Sequence, residues 1–211
     1  MLKNSARATD VQAPLLGERL RRRRKELGLT LNDVAQGAGL SVGFISQVER
    51  DLTAPSLGSL VTIASVLEIP VNALLESPAT DRELTRQSDR AAFAVPGQSA
   101  SYERLSASFL GSTLHSVLVH EPPGHRVEPI SHTGEEMFYI IDGELTVEIE
   151  GRCEILRQGD SLHFNSRRTH STWNHTEKPV SLLWCGTMDI FGDENPEPIH
   201  KHSSNTRPST E

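Results

Sequence analysis

Gln47 carries a side-chain amide that can pair bidentately with an adenine edge, and its neighbours suit the same surface. From Ser41 to Arg50 the chain reads SVGFISQVER. If Ile45 and Val48 face a core, then Val42, Gly43, Ser46 and Gln47 are left on the other side, toward a DNA groove. Val42 can touch a thymine methyl, and Gly43 lets backbone approach closely. Ser41 can cap its helix and contact a phosphate together, whereas Arg50 serves a phosphate or the fold rather than a base. Gln47 has two readings, a base contact or a phosphate contact alone. Either way the chemistry these side chains offer is non-covalent contact with base edges or phosphates, with no bond made or broken.

Such residues need a helix held at a fixed angle to a second one. Thr30 is a good N-cap, and Asp33 three residues later completes a capping-box pattern. A helix then runs through Leu31, Val34, Ala35 and Ala38, which share one face. Gly39 and Leu40 break it, Ser41 caps again, and the next helix carries Phe44, Ile45 and Val48. Two short amphipathic helices joined by a glycine turn make a helix-turn-helix unit, whose second helix can enter the major groove. Small Ala35 permits close approach, Gly39 suits a left-handed turn, and Ile45 plugs the angle.

Around this unit, Leu15 or Leu16, Leu20 and Leu27 mark a first helix ending near Gly28. The run Arg21–Lys25 covers its other faces, either as a solvated surface or as a phosphate contact. Pro55-Ser56 opens a helix through Leu57, Leu60, Ile63, Ala64 and Leu67. Pro70 ends that region, and Val71, Leu74 and Leu75 suggest a last short helix. The expectation is a five-helix domain over 14–76. The run Leu20–Leu75, especially LGLTLNDVA, GLSVGFISQVER and APSLGSLVTIASVLEIPVNALL, resembles the Cro/C1-type (XRE) DNA-binding domain without an obvious gap.

A length of 211 residues suits one large or two modest domains. The net charge of −7 argues against a generally basic nucleic-acid binder, but the charge is unevenly placed. Residues 1–76 hold nine Lys/Arg against eight Asp/Glu, whereas 77–211 hold twelve against twenty. Any phosphate attraction is therefore local to the 14–50 segment, with seven against four. No apolar run approaches the roughly 18 residues of a membrane span, and the N-terminus lacks the apolar stretch of a signal peptide. Cys153 and Cys185 stand without a CxxC, which fits a reducing cytoplasm and two thiols packed as small apolar groups.

Residues 1–13 and 191–211 lack a core pattern and are expected as tails, with 77–100, rich in Ser, Pro, Thr and charge, as a linker. From about 101 to 190 the hydrophobic period changes to two. Candidate strands are Leu114–His120, Met137–Ile141, Leu145–Ile149, Cys153–Leu156, Ser161–Phe164, Thr169–Trp173 and Val180–Cys185, with hairpin signals at Asp142-Gly143 and Glu150-Gly151. Many short strands at regular spacing predict a closed all-β barrel or sandwich. The overall expectation is α + β in two domains.

Within the second half, PGHRVEPISHTGEEMFYIIDGE followed by QGDSLHFNSRRTHSTWNH resembles the paired motifs of the cupin family. Gly124, Ile130, His132, Glu136 and Gly143 fall at the places of the first motif, and Gly159, Asn165, Arg167, His170 and Asn174 at those of the second. The resemblance implies a metal site in which His132, Glu136 and His170 keep three of the usual four ligands and Ile130 replaces the first histidine. Asn165 and Arg167 depart from the usual Pro and Gly. Two imidazoles and a carboxylate are a sufficient facial set for a divalent metal; the same three can instead hydrogen-bond a ligand directly. His125, His163 and His175 do not match the missing position. Phe138 shares strand parity with Glu136, and Thr172 with His170, so both are expected at a pocket, where a carboxylate favours an amine-bearing ligand.

Regulators with an N-terminal Cro/C1-type domain and a C-terminal cupin sensor are the group this chain resembles over nearly its full length. The resemblance implies a cytoplasmic homodimer that binds a palindromic DNA operator and responds to a small-molecule effector, with no catalytic residues and no membrane partner. The alternative is an enzyme like the hydroxypropylphosphonate epoxidases, which also resemble a Cro/C1-like domain fused to an iron-binding cupin. The lysine those enzymes supply from the helical domain has no clear counterpart around Gly28–Leu29. A third option is a DNA binder whose cupin half only dimerises.

Overall fold

The computed structural model describes residues 15–75, 83–109 and 111–192; the expected tail 1–13 and all but the first two residues of the expected tail 191–211 lie outside them. The helical half contains α1 (Leu16–Glu26), α2 (Leu31–Ala38), α3 (Val42–Val48) and α4 (Leu57–Val66). Each boundary has a local cause. Thr30 caps α2 in a complete capping box with Asp33, and Gly39 ends it at φ 68°. The Ser41 hydroxyl accepts from the Phe44 N–H, and Ser56 accepts from the Ser59 N–H to start α4.

Among the described residues four α-helices form, not five. Beyond Pro70 the chain makes a single 3₁₀ turn, Val71–Ala73, with the Leu74 N–H donating to the Val71 carbonyl at 2.8 Å. One turn fixes several dihedrals for little hydrogen-bond return, so so short a segment does not propagate into an α-helix. Its apolar residues still serve, since Val71, Leu74 and Leu75 are buried. The helices meet over Leu20, Val34, Ala35, Ile45, Val48, Leu60, Ile63 and Leu67, all nearly inaccessible. Gly17 lets α1 approach α3, because a Cβ there would stand 2.3 Å from the Val48 carbonyl oxygen.

The β half comprises β1 (Ala92–Phe93), β2 (Ser101–Arg104), β3 (His115–Glu121), β4 (Glu135–Asp142), β5 (Glu144–Ile149), β6 (Arg152–Arg157), β7 (Ser161–Asn165), β8 (His170–Trp173) and β9 (Val180–Gly186). They form two antiparallel sheets, β1-β2-β3-β9-β4-β7 and β6-β5-β8, so of the closed barrel or sandwich expected the single closed barrel does not form. The reason lies at Asp142-Gly143. Read as a hairpin, it is instead a corner: the β4–β9 register shifts between Ile140 and Asp142, Gly143 takes φ 89°, and β5 leaves for the smaller sheet. Glu150-Gly151 is the true hairpin turn, with both residues at positive φ and Ile149 paired to Arg152.

Part of the stretch expected to link the halves is built into the sheet. Ala92–Phe93 pairs with β2, and Val95 and Ala100 are buried. Phe191, expected to begin a tail, is 1% exposed and lies under the Arg104 guanidinium at 3.9 Å. Buried apolar residues of both halves make one continuous core.

Candidate functional site

Helix α3 presents its predicted readers to solvent. Ile45 and Val48 are each 2% exposed and anchor the helix, whereas Val42, Gly43 and Gln47 are exposed and Ser46 is half-buried. A Cβ on Gly43 would meet nothing within 4 Å, so that face is open. Ser41 caps the helix, and Arg50 is exposed with its Nε donating to the Ser46 carbonyl at 3.1 Å. Of the arginine run, Arg24 is turned inward: its Nε and Nη2 clasp the two Glu49 carboxylate oxygens at 2.5 and 2.8 Å. That bidentate pair ties α1 to the end of α3. Arg23 donates to the Leu67 carbonyl, which leaves Arg21, Arg22 and Lys25 outermost.

The second site lies in the β half. His132, on the loop before β4, Glu136 in β4 and His170 at the start of β8 bring one ligand atom each within 4.8 Å of one another. They are separated by up to 38 residues in sequence and come from both sheets. The His132 Nε2 stands 2.6 Å and the His170 Nε2 3.5 Å from Glu136 Oε1. Each ring's Nδ1 faces a backbone carbonyl, Thr133 for His132 and Arg168 for His170, which fixes the ring and aims Nε2 at the carboxylate. Burial alone would raise the Glu136 carboxyl, but hydrogen bonds from His132 and His170 outweigh it and hold the group at about 2. Burial lowers His170, and the Glu136 partnership more than reverses that, so its net shift is upward.

This donor set fits a divalent metal. Cis ligands at about 2.1 Å from an ion stand roughly 3 Å apart, and the two histidine–carboxylate distances bracket that value. Ile130, at the place of the absent fourth ligand, is 3% exposed and packs toward Gly58 of α4. Glu135 points outward to His163 at 3.1 Å, and His125 and His175 bond elsewhere, to Gln98 and Thr146.

The three residues line a cavity of about 100 Å³. Phe138 and Thr172 line it, as their strand parity predicts. Sequence reasoning missed three further features. Ser56, Leu57 and Gly58 close one side, so the N-terminus of α4 is part of the cavity wall. Glu128 clamps that terminus, accepting from the Ser56 N–H at 3.0 Å and the Ser56 hydroxyl at 3.1 Å. Buried Glu121 and Tyr102 also line the cavity; burial, then the Glu121 charge, drive the Tyr102 phenol far above its usual range. The alternation of β3 held a clue to Glu121, which falls on the inward parity of Val117 and Val119.

The fold and these two sites define a two-part protein: a helix-turn-helix head and a cupin-type β domain sharing a cavity wall. A helix-turn-helix family model matches residues 20–74 and a cupin domain model matches residues 117–186. The chain is 23% identical over 168 residues to the HTH-type transcriptional regulator SutR of Escherichia coli, covering 80% of this chain and 92% of SutR. It is 26% identical over 179 residues to the HTH-type transcriptional regulator PuuR of the same organism, covering 83% and 96%. The crystal structure of an HTH_3 family transcriptional regulator from Vibrio cholerae shares the fold, with a TM-score of 0.52 at 21% identity over 82% of this chain and 94% of that one. The chain therefore joins an XRE-type helix-turn-helix domain to a C-terminal cupin domain and is similar over most of its length to these HTH-type transcriptional regulators.

Proposed function

We propose that the protein is a sequence-specific regulator whose affinity for DNA is set by a small-molecule effector bound in the cupin cavity. The observation that carries this reading is the shared wall: a molecule filling the cavity contacts Ser56, Leu57 and Gly58 of the DNA-binding half directly. A ligand shifts a conformational equilibrium only as far as it prefers one arrangement, and contact with both halves supplies such a preference. The loop from Glu128 to His132 strengthens the link. Glu128 holds the start of α4, Ile130 packs toward Gly58, and Ser131 lies against Gly39, the turn of the helix-turn-helix.

In this reading Ser41, Val42, Gly43, Ser46, Gln47 and Arg50 meet the DNA, with Gln47 on a base. His132, Glu136 and His170 hold a divalent metal at the effector end, where the ion would offer open positions to a ligand. The protein acts in the cytoplasm as a homodimer on a palindromic operator, and it is not an enzyme. The full reading helix and the regulator relatives support this over an epoxidase-like activity. Among the described residues no helix is long and apolar enough to cross a membrane.

Selection of the purified full chain against a random double-stranded DNA library tests the reading. The expected result is enrichment of a two-fold symmetric site; no enrichment refutes it. Elemental analysis of protein purified without chelator is expected to find a divalent metal that His132→Ala loses while site-selective DNA binding persists. Absence of metal from the unaltered chain would return the triad to direct ligand binding.

A further inference from the structure

Strand β4 turns three large apolar side chains out of the larger sheet. Met137, Tyr139 and Ile141 are 37%, 42% and 41% exposed, while Glu136, Phe138 and Ile140 between them are buried. An antiparallel sheet with one face on a core ordinarily alternates apolar inside with polar outside. A run of large apolar groups on the outer face therefore needs a cause of its own.

The pairing register widens this stripe into a patch. Met137 lies opposite Cys185 and Tyr139 opposite Leu183 on β9, and Leu183 lies opposite Leu118 on β3. Those three neighbours are half-buried and share the outward parity. The remaining outward positions of β3, β7 and β9 are serine or histidine, apart from Asn165 at the end of β7. Glu135 and Asp142 stand only at the two ends of β4. The middle of the face thus has no charged side chain, although residues 77–211 hold twelve Lys/Arg and twenty Asp/Glu. The smaller sheet is the contrast, since its outward face carries Glu144 and Glu148 on β5 and Arg157 on β6, with Arg157 paired to Glu144 at 3.3 Å.

Loss of charge together with tyrosine and methionine is the composition of a protein–protein contact. The patch gives a nucleic acid or a charged peptide nothing to pair with, and a flat sheet face lacks the concavity of a small-molecule site. A second copy of the chain needs neither. An apolar face matches itself under a two-fold rotation, because the match does not depend on opposite charges meeting. The rims do not oppose it: Glu135 is paired with His163 at 3.1 Å, and Glu103, beside Leu118, with Arg90 at 2.9 Å and His120 at 3.0 Å. The size also suits. The neighbouring strands β3, β9, β4 and β7, about 4.8 Å apart and rising about 3.4 Å per residue, make a face of roughly 19 by 24 Å. Two such faces bury on the order of 1,000 Å², enough for a specific contact.

We propose that Leu118, Met137, Tyr139, Ile141, Leu183 and Cys185 form an isologous contact with the same face of a second copy, the two larger sheets packing back to back. This rests on the homodimer reading above and assigns its interface. The helical half meets the opposite side of the sheet, where Ser56, Leu57 and Gly58 wall the cavity with inward residues of β3, β4 and β9, so both heads lie outside the contact.

Sedimentation velocity of the full chain is expected to show a dimer. Tyr139→Glu, which sets a carboxylate from each copy in the contact, should weaken it at least about a hundredfold. Ile155→Glu is the control: Ile155 is 44% exposed but lies on the smaller sheet, and its variant should stay dimeric. Cys185 gives a second readout with the face intact. In Cys153→Ser it is the one thiol left, and its alkylation by a maleimide should speed up several-fold on dilution to monomer. A folded Tyr139→Glu that remains dimeric, an Ile155→Glu that dissociates as readily, or a Cys185 rate unchanged by dilution overturns the proposal. If Tyr139→Glu does not fold, the Cys185 rate decides alone. A dimer that survives Tyr139→Glu sinks this interface and spares the homodimer, whereas a full chain that is monomeric throughout sinks both; DNA binding is read separately by the library selection.

Discussion

Gly39→Ala should destabilise the protein more than Gly28→Ala, although the two glycines have nearly the same backbone conformation. Their φ angles are 68° and 70°, so an alanine at either pays the left-handed penalty of about 1–2 kcal/mol. At Gly28 a Cβ meets nothing within 4 Å. At Gly39 it would stand 2.7 Å from the Ser131 carbonyl oxygen and 3.3 Å from its hydroxyl. The carbonyl cannot swing aside, because Ile130 exchanges two backbone hydrogen bonds with His170 at 2.9 Å and the His132 N–H donates to the Ser166 carbonyl. Relieving such an overlap costs about 1–3 kcal/mol beyond the strain. For a chain of this size about 1 kcal/mol moves the midpoint by roughly 2–4 °C. Gly28→Ala should therefore lower Tm by roughly 2–8 °C, and Gly39→Ala by roughly 2–12 °C more. Thermal unfolding followed by circular dichroism reads both. Equal shifts would mean that the helix-turn-helix turn does not rest on the cupin loop in solution, and the route from His132 to the DNA-binding head would be lost.

Gln47→Ala is expected to cost about 1–3 kcal/mol on the best operator and to relax one base position in a library selection; unchanged selection removes Gln47 from base recognition. Arg24→Ala should cost about 3–5 kcal/mol in urea unfolding because it strands the buried Glu49 carboxylate, whereas Arg24→Met with Glu49→Leu should recover most of that loss. If the double variant is as unstable as the single, burial of an unpaired charge is not the cause. Glu136, held at about 2 when folded, lends the metal-free protein stability on the order of 3 kcal/mol. That contribution is complete above the ordinary carboxyl value of 4.5 and is lost as the pH falls toward 2. Acid unfolding in chelator should show this limb, and Glu136→Gln should flatten it; an unaltered limb places the acid sensitivity elsewhere.

The helix-turn-helix was legible because its requirements are local. A capping box, a left-handed glycine and two buried residues at helical spacing are all satisfied within some twenty neighbouring residues, and each maps onto a contact in the fold. The strands were legible for the same reason, with ends moved by a residue or two. The two strands not foreseen are short: β1 has two residues, and β2 reads SYER, with too few positions to display a period. Asp142-Gly143 looked like a hairpin because a glycine turn has the same local chemistry whether the chain returns to its own sheet or crosses to another. Which one occurs depends on β9 competing for β4, and β9 lies some forty residues away.

Sequence by itself determined what depends on near neighbours: the helix that carries Gln47, the alternation that turns Glu136 and Phe138 inward together, and, through family likeness, the set His132, Glu136 and His170. Tertiary structure decided everything that needs the two halves in contact. Nothing around Ser56 announces that the N-cap of a helix will also wall a cavity, or that Glu128 will reach it across 72 positions. Glu121 likewise reads as an ordinary charged residue until its neighbours are in place. Its burial beside Tyr102, His125 and Thr172 is a property of packing, and only the folded chain brings those groups to one point.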